Sequence, residues 1–251
     1  MFDFSDPFYQ ARILLFLAVF ALSFLLGSIP FGLIISKVFY KTDIREHGSG
    51  NIGATNAIRT MGKAGGASVF ILDFLKGALS GFLALFAAKL FYEFQGVSEA
   101  VWRVSHFWKP FGLAPLGTPD FGGVVWVTEI LLGLAFLGCV WGHVFSPWLK
   151  FKGGKGVAVA VGCLLAVYGL VGMSLNLAVF IMVVLLTRYV SVGSIAAAFA
   201  CPLFALCYFW GNAPAIILCA LGGLTVVWAH RENIKRLLAG SESRIGKKKE
   251  A

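Results

Sequence analysis

The sequence predicts an all-α integral membrane protein with seven transmembrane helices, the N-terminus outside and the C-terminus cytoplasmic. Three observations carry this reading. The 251-residue chain is 59% hydrophobic and 13% charged, where a soluble domain has about 25% charged residues. Positions 156–187 and 189–229 hold 32 and 41 residues without one Asp, Glu, Lys or Arg, and ~20 apolar residues cross a bilayer. The basic residues gather on one set of connections, as they do in cytoplasmic loops.

The N-terminal stretch MFDFSDPFYQAR has two acids before its first base, and no small-x-small cleavage site follows the apolar run. The first apolar segment is therefore expected to be a retained helix rather than a secretory signal. Spans are expected at roughly 13–36, 66–92 and 124–146, then two within 156–187 and two within 189–230. The doubling has a length argument. One helix of 32 residues would run about 48 Å, against a hydrocarbon core of about 30 Å. Tyr168-Gly169-Leu170-Val171-Gly172 offers a turn in the first run, and Gly211-Asn212-Ala213-Pro214 a clearer one in the second.

Charge placement fits this count. Lys37, Lys41, Arg45, Arg59 and Lys63 precede the second span, and Lys150, Lys152 and Lys155 follow the third. Arg188 follows the fifth. Arg231, Lys235, Arg236, Arg244, Lys247, Lys248 and Lys249 follow the seventh, so 16 of 21 bases share one side. The other side carries Asp3, Asp6, Glu93, Glu99 and Asp120 with Arg12, Arg103 and Lys109. The whole chain, 1–251, reads as a single transmembrane domain. Residues 1–12 form an outside N-terminus, 93–123 a long outside loop and 241–251 a basic cytoplasmic tail. The net charge of +9 suits loops beside anionic lipid, and also an anionic substrate. Cys139, Cys163, Cys201, Cys207 and Cys219 all lie in apolar segments without a CxxC spacing. They read as small hydrophobes rather than metal ligands or disulfides.

Every polar-rich motif falls on the predicted inner face. In GSGNIGATNAIRTMGK (48–63), Ser49 is placed to cap a short helix starting near Gly50 or Asn51. A helix N-terminus attracts phosphate through its free N–H groups and its dipole. Asn51, Thr55 and Arg59, spaced i, i+4, i+8, then share one face of amide, hydroxyl and guanidinium donors. A polar interfacial helix with glycine turns has the same pattern. In FKGGKG (151–156), Gly153 and Gly154 permit close backbone approach, and Lys152 and Lys155 supply charge. The loop lacks the spacing and the Ser/Thr of a nucleotide-triphosphate loop, and alone it fits an ordinary basic loop. In HRENIKRLLAG (230–240), His230 and Asn233 are i, i+3 neighbours where the last span leaves the membrane; a capping histidine with basic anchors is the plainer reading. Within the second span Asp73 and Lys76 form an intramembrane i, i+3 pair, either a structural ion pair or support for a site. His143 is similarly open.

No G-x-S-x-G elbow, H-E-x-x-H or aspartate cluster occurs. The H-x4-D pair of many glycerolipid acyltransferases is also missing: His47, His106, His143 and His230 are followed five positions on by Ile52, Phe111, Trp148 and Lys235. The chain offers phosphate binders without an obvious catalytic base.

Six stretches in order resemble the bacterial acyl-phosphate:glycerol-3-phosphate acyltransferase family, often called PlsY. They are GSIPFG (27–32), GSGNIGATNAIRTMGK (48–63), LDFLKG (72–77), GHVFSPWLKFKGGKGVA (142–158), RYVS (188–191) and HRENIKRLLAG (230–240). The 93–123 loop looks longer than in compact members. The resemblance implies a multi-pass protein of the bacterial plasma (inner) membrane, with its active site at the cytoplasmic face. It implies transfer of a fatty acyl group from a long-chain acyl phosphate to the sn-1 hydroxyl of glycerol 3-phosphate, giving lysophosphatidic acid and inorganic phosphate in phospholipid biosynthesis. The activated donor accounts for the missing base, because a phosphate oxygen of the substrate takes the hydroxyl proton. No cofactor, metal or nucleic acid is implied; membrane lipid is the surrounding partner. By motif, Ser49, Arg59, Lys155, His230 and Asn233 carry over as catalytic residues. Gly50, Asn51, Thr55, Asn56, Lys152, Gly153 and Gly154 carry over as substrate- and phosphate-binding residues. An organophosphate or anion transporter is the alternative reading, although transporters place their sites near the midplane and these motifs gather at one face. A non-catalytic lipid-binding membrane protein is the third.

Overall fold

The structure, a computed structural model, describes residues 7–94 and 123–246. Most of the expected outer loop and the last five residues of the basic tail lie outside the described residues, as do residues 1–6 of the expected outside N-terminus. All regular secondary structure among the described residues is helical. Helices α1 (Pro7–Ser28) and α2 (Phe31–Phe39) are separated by Ile29 and Pro30, and a short 3-10 turn (Ile44–Glu46) leads to α3 (Ala54–Phe94). Helix α4 (Val124–Val144) and a second 3-10 turn (Pro147–Leu149) follow. The chain then forms α5 (Val157–Val167), α6 (Gly169–Thr187), α7 (Val190–Tyr208), α8 (Ala213–Ala229) and α9 (Arg231–Leu238).

Among the described residues, five candidate spans are long and apolar enough to cross a membrane: Tyr9–Phe39, Ala54–Glu93, Val125–Leu149, Gly169–Thr187 and Val190–Tyr208. Helix α8 qualifies together with α9, from which it is bent by 50°. Helix α5 is apolar but has 11 residues, about 16 Å. Both expected turns are present. Gly169 takes a positive φ of 66° at the α5–α6 break. Asn212 caps α8 by accepting the Ala215 N–H, with Pro214 in the first helical turn.

Packing contacts fix the helix directions. Gly138 meets Phe20 and Ser23, and Gly142 meets Phe24 and Ser28, so α1 and α4 run the same way at close approach. Gly77 meets Val159 and Gly81 meets Ala166, which sets α3 parallel to α5. Gly133 on Leu218 and Trp141 on Thr225 set α4 parallel to α8. Gly172 on Tyr208 and Gly193 on Phe180 make α6 and α7 antiparallel. Small residues let helix backbones approach in lipid, where dispersion and hydrogen bonds replace the hydrophobic drive.

The main core runs through α3, α4, α5, α7 and α8 around Leu131, Phe136, Leu164, Tyr168 and Phe209. A second cluster lies under the inner loops: Ile35, Ile44, Ile52, Ala57, Met61, Val69 and Leu149. Ile44 and Ile52 anchor the opening loop from below, so its polar residues sit on a packed floor.

Candidate active site

The opening loop is built around one amide. Asn56 is buried, and its Oδ1 accepts the Ser49 N–H at 2.8 Å. Its Nδ2 lies 2.8–3.1 Å from the carbonyls of Ile44, His47 and Asn51. With these bonds made, Asn56 organises the loop. Gly48 and Gly50 take positive φ values of 62° and 70°, backbone shapes that cost glycine little.

This geometry corrects the expected helix start. Helix α3 begins at Ala54, not near Gly50 or Asn51, because the turns before it consume their own donors. The Gly50 N–H goes to the His47 carbonyl and the Gly53 N–H to Asn51 Oδ1. Neither Ser49 as helix cap nor the three-residue Asn51–Thr55–Arg59 face is realised. Thr55 and Arg59 do share a face of α3, both exposed, and Ser49 is exposed beside them. Arg59 also walls an open polar pocket of about 470 Å³ with Tyr40, Thr42, His47, Gly48 and Thr60.

The glycine-rich loop differs from the expectation in the same way. The Gly153 and Gly154 N–H groups donate to Val144 and His143 carbonyls at 3.0 Å each. They satisfy carbonyls that the end of α4 leaves open and are not free for phosphate. A side chain at either glycine would strike His143. Lys152 is exposed, whereas Lys155 is half-buried. Burial, with nearby Arg236 and Arg59, lowers the Lys155 ammonium from 10.5 to about 8 against the opposing effect of Glu242. Lys155 therefore stands among groups from both ends of the chain.

The C-terminal elements complete the cluster. His230, 2% exposed, sits at the bend between α8 and α9. Its Nδ1 donates to the Val226 carbonyl at 2.8 Å, which leaves Nε2 as the acceptor of a neutral ring. Burial pushes this imidazole down to about 4, with Lys155 adding to the effect. Asn233 is buried and donates through Nδ2 to Glu242 Oε1 at 2.7 Å, while its Oδ1 has no partner among the described residues. Arg236 Nε donates to Glu242 Oε2 at 2.7 Å. Burial alone would raise the Glu242 carboxyl, but the bonds from Asn233 and Arg236 outweigh it and hold it below its ordinary value. Arg59 and Lys155 form no ion pair among the described residues.

The sequence matches the family described as "Glycerol-3-phosphate acyltransferase" over residues 17–240. The chain belongs to the PlsY family of glycerol-3-phosphate acyltransferases.

A glycerol-3-phosphate acyltransferase of Rhodopseudomonas palustris (strain HaA2) is 38% identical over 236 residues, covering 94% of this chain and 98% of the relative. One from Clostridioides difficile (strain 630) is 36% identical over the same length and coverage. The fold matches the crystal structure of PlsY, an integral membrane glycerol 3-phosphate acyltransferase, in its glycerol 3-phosphate form. The TM-score is 0.68 at 34% identity, covering 94% of this chain and 96% of that one. The lysophosphatidic acid form matches with a TM-score of 0.67 at 35% identity, covering 92% and 95%. Two residues of the cluster are not singled out by the sequence: Glu242, which lies beyond the last quoted motif, and Arg236, which reads there only as a basic residue after the last span. An isolated acid in a basic tail was the available signal.

Proposed function

We propose that this protein acylates the sn-1 hydroxyl of glycerol 3-phosphate with a long-chain acyl phosphate, at the cytoplasmic face of a bacterial inner membrane. One observation carries the reading: Arg59, Lys155, Arg236, His230 and Asn233, from three distant segments, converge electrostatically at one end of the bundle. Membership of the family supports the substrate.

Within this reading, Arg59 and Lys155 hold phosphate groups, Arg59 through parallel hydrogen bonds and Lys155 as a point charge. Ser49 and Thr55 add hydroxyl donors at the rim, where Lys152 raises the local potential. The open acceptors, Asn233 Oδ1 and His230 Nε2, suit glycerol hydroxyls better than phosphate oxygens. The sn-1 oxygen attacks the acyl carbonyl carbon, and the carbon–oxygen bond to phosphate breaks. The hydroxyl proton passes to a phosphate oxygen, and inorganic phosphate leaves. A ring that binds a proton only near pH 4 is a poor base at neutral pH, which supports the substrate as its own proton acceptor. The protein contributes orientation and charge.

In the same reading the chain is one domain crossing seven times, with an outside N-terminus and an inside tail. The parallel pairs α1–α4, α3–α5 and α4–α8 and the antiparallel pair α6–α7 support it, with α5 packed against α3.

The test is product analysis. Purified protein with palmitoyl phosphate and labelled glycerol 3-phosphate gives 1-acylglycerol 3-phosphate and one phosphate per turnover. A 2-acyl product, or acyl transfer without phosphate release, contradicts the reading.

A further inference from the structure

Three ionisable side chains meet inside the bundle, beneath the surface that carries Arg59 and Lys155. Asp73 and Lys76 come from α3 and His143 from the last turn of α4; they are 2%, 4% and 4% exposed. Lys76 Nζ lies 2.8 Å from Asp73 Oδ1, 3.0 Å from His143 Nδ1 and 2.7 Å from the Ile29 carbonyl. An ammonium has three N–H donors; here hydrogen bonds run to Ile29 and His143, and the Asp73 carboxylate stands at ion-pair distance. Buried charges at membrane depth are expensive and tend to be functional, yet the acyl-transfer chemistry above uses none of these.

The cluster is connected to the site above it. Because Lys76 donates to Nδ1, the neutral His143 ring carries its hydrogen on Nε2, and this edge faces Gly154. The main chains of His143 and Val144 also accept the Gly154 and Gly153 N–H groups. The loop bearing Lys155 is thus seated on His143 through both its ring and its backbone. On the other side, Lys76 holds the Ile29 carbonyl at the α1–α2 break. The adjoining Ser28 receives Ser146 Oγ on its carbonyl and Trp148 Nε1 on its hydroxyl, at 2.7 and 2.9 Å.

We propose that Asp73, Lys76 and His143 are positioning residues that fix the glycine-rich loop, and with it Lys155, at the height where the ammonium meets a substrate phosphate. The proposal rests on the reading of Lys155 as a phosphate ligand. An ammonium moved off the substrate phosphate gives up a charge-assisted hydrogen bond to it, so a rigid seat under the loop has a direct consequence for binding.

The experiment measures glycerol 3-phosphate binding by titration calorimetry, and KM and kcat by turnover, on the full chain in detergent. His143→Phe keeps the ring but removes the acceptor. Kd and KM should rise about tenfold and kcat change less than about threefold, within the range of coupling between contacting residues. His143→Asn places Oδ1 near the position of Nδ1 and should bring both constants back to within about threefold of wild type. In a Lys155→Ala background, His143→Phe should have little further effect on binding, since the residue it positions is gone.

A second pair covers the case where His143→Phe does not fold. Gly154→Ala, whose methyl strikes His143 Nε2, should weaken binding about tenfold, and adding His143→Asn, which lacks that atom, should relieve it. Unchanged binding in a folded His143→Phe protein overturns the proposal, as does additivity with Lys155→Ala or a Gly154→Ala defect that His143→Asn leaves in place. Failure of the wild-type chain to bind glycerol 3-phosphate overturns the reading beneath it as well; wild-type binding with unaffected variants overturns only the positioning role.

Discussion

The side-chain amide of Asn233 donates to the Glu242 carboxylate at 2.7 Å. The same carboxylate takes Arg236 at 2.7 Å, so a residue of the tail is fastened to the cationic cluster and its negative charge acts on Lys155.

That charge gives a pH prediction. Lys155 binds its proton with a value near 8, so it is cationic below that pH and neutral above it. kcat/KM for glycerol 3-phosphate, which reports the free enzyme, should fall as pH rises through about 8. Lys155→Arg should remove this limb, because a guanidinium stays charged. Glu242 opposes the lowering, so Glu242→Gln should move the limb to lower pH. A profile flat from pH 7 to 10 in the wild type would contradict the lowered value, and a limb that persists in Lys155→Arg would remove Lys155 as its source.

Arg59 gives a second prediction. As a bidentate phosphate ligand, Arg59→Ala should lower kcat/KM by about 10²–10³-fold, and Arg59→Lys should recover only part of that. As a topological anchor it would be fully replaced by lysine, since both bases count alike toward orientation. Steady-state kinetics on correctly inserted variants separate the two: full activity in Arg59→Lys, with near-normal activity in Arg59→Ala, would place Arg59 outside the site.

A third prediction concerns topology. Cysteines introduced at positions 100 and 245 should be labelled from opposite sides, the first from outside and the second only after permeabilisation. Labelling of both from one side breaks the seven-crossing count.

Much of this was legible in the sequence because hydrophobic runs and turn residues act locally. The breaks at Tyr168–Gly169 and Gly211–Asn212 fall where glycine and proline punctuate uncharged stretches. The Asp73–Lys76 pair was visible as an i, i+3 spacing, and the ion pair is present. The start of α3 was not legible. It depends on Asn56 gathering carbonyls from Ile44, His47 and Asn51, a tertiary arrangement that overrides the capping preference of Ser49. The glycine-rich loop misled for a related reason: its N–H groups close the end of α4, and no local pattern reveals which carbonyls a loop will meet. Glu242 was hidden because its partners, Asn233 and Arg236, lie across the turn that follows α9.

The central claim is that activation resides in the donor while the protein supplies charge and orientation. Parallel assays of one purified preparation with labelled glycerol 3-phosphate and palmitoyl phosphate, palmitoyl-CoA or palmitoyl acyl carrier protein test it most directly. Lysophosphatidic acid should form with palmitoyl phosphate alone; comparable rates with either thioester would contradict it.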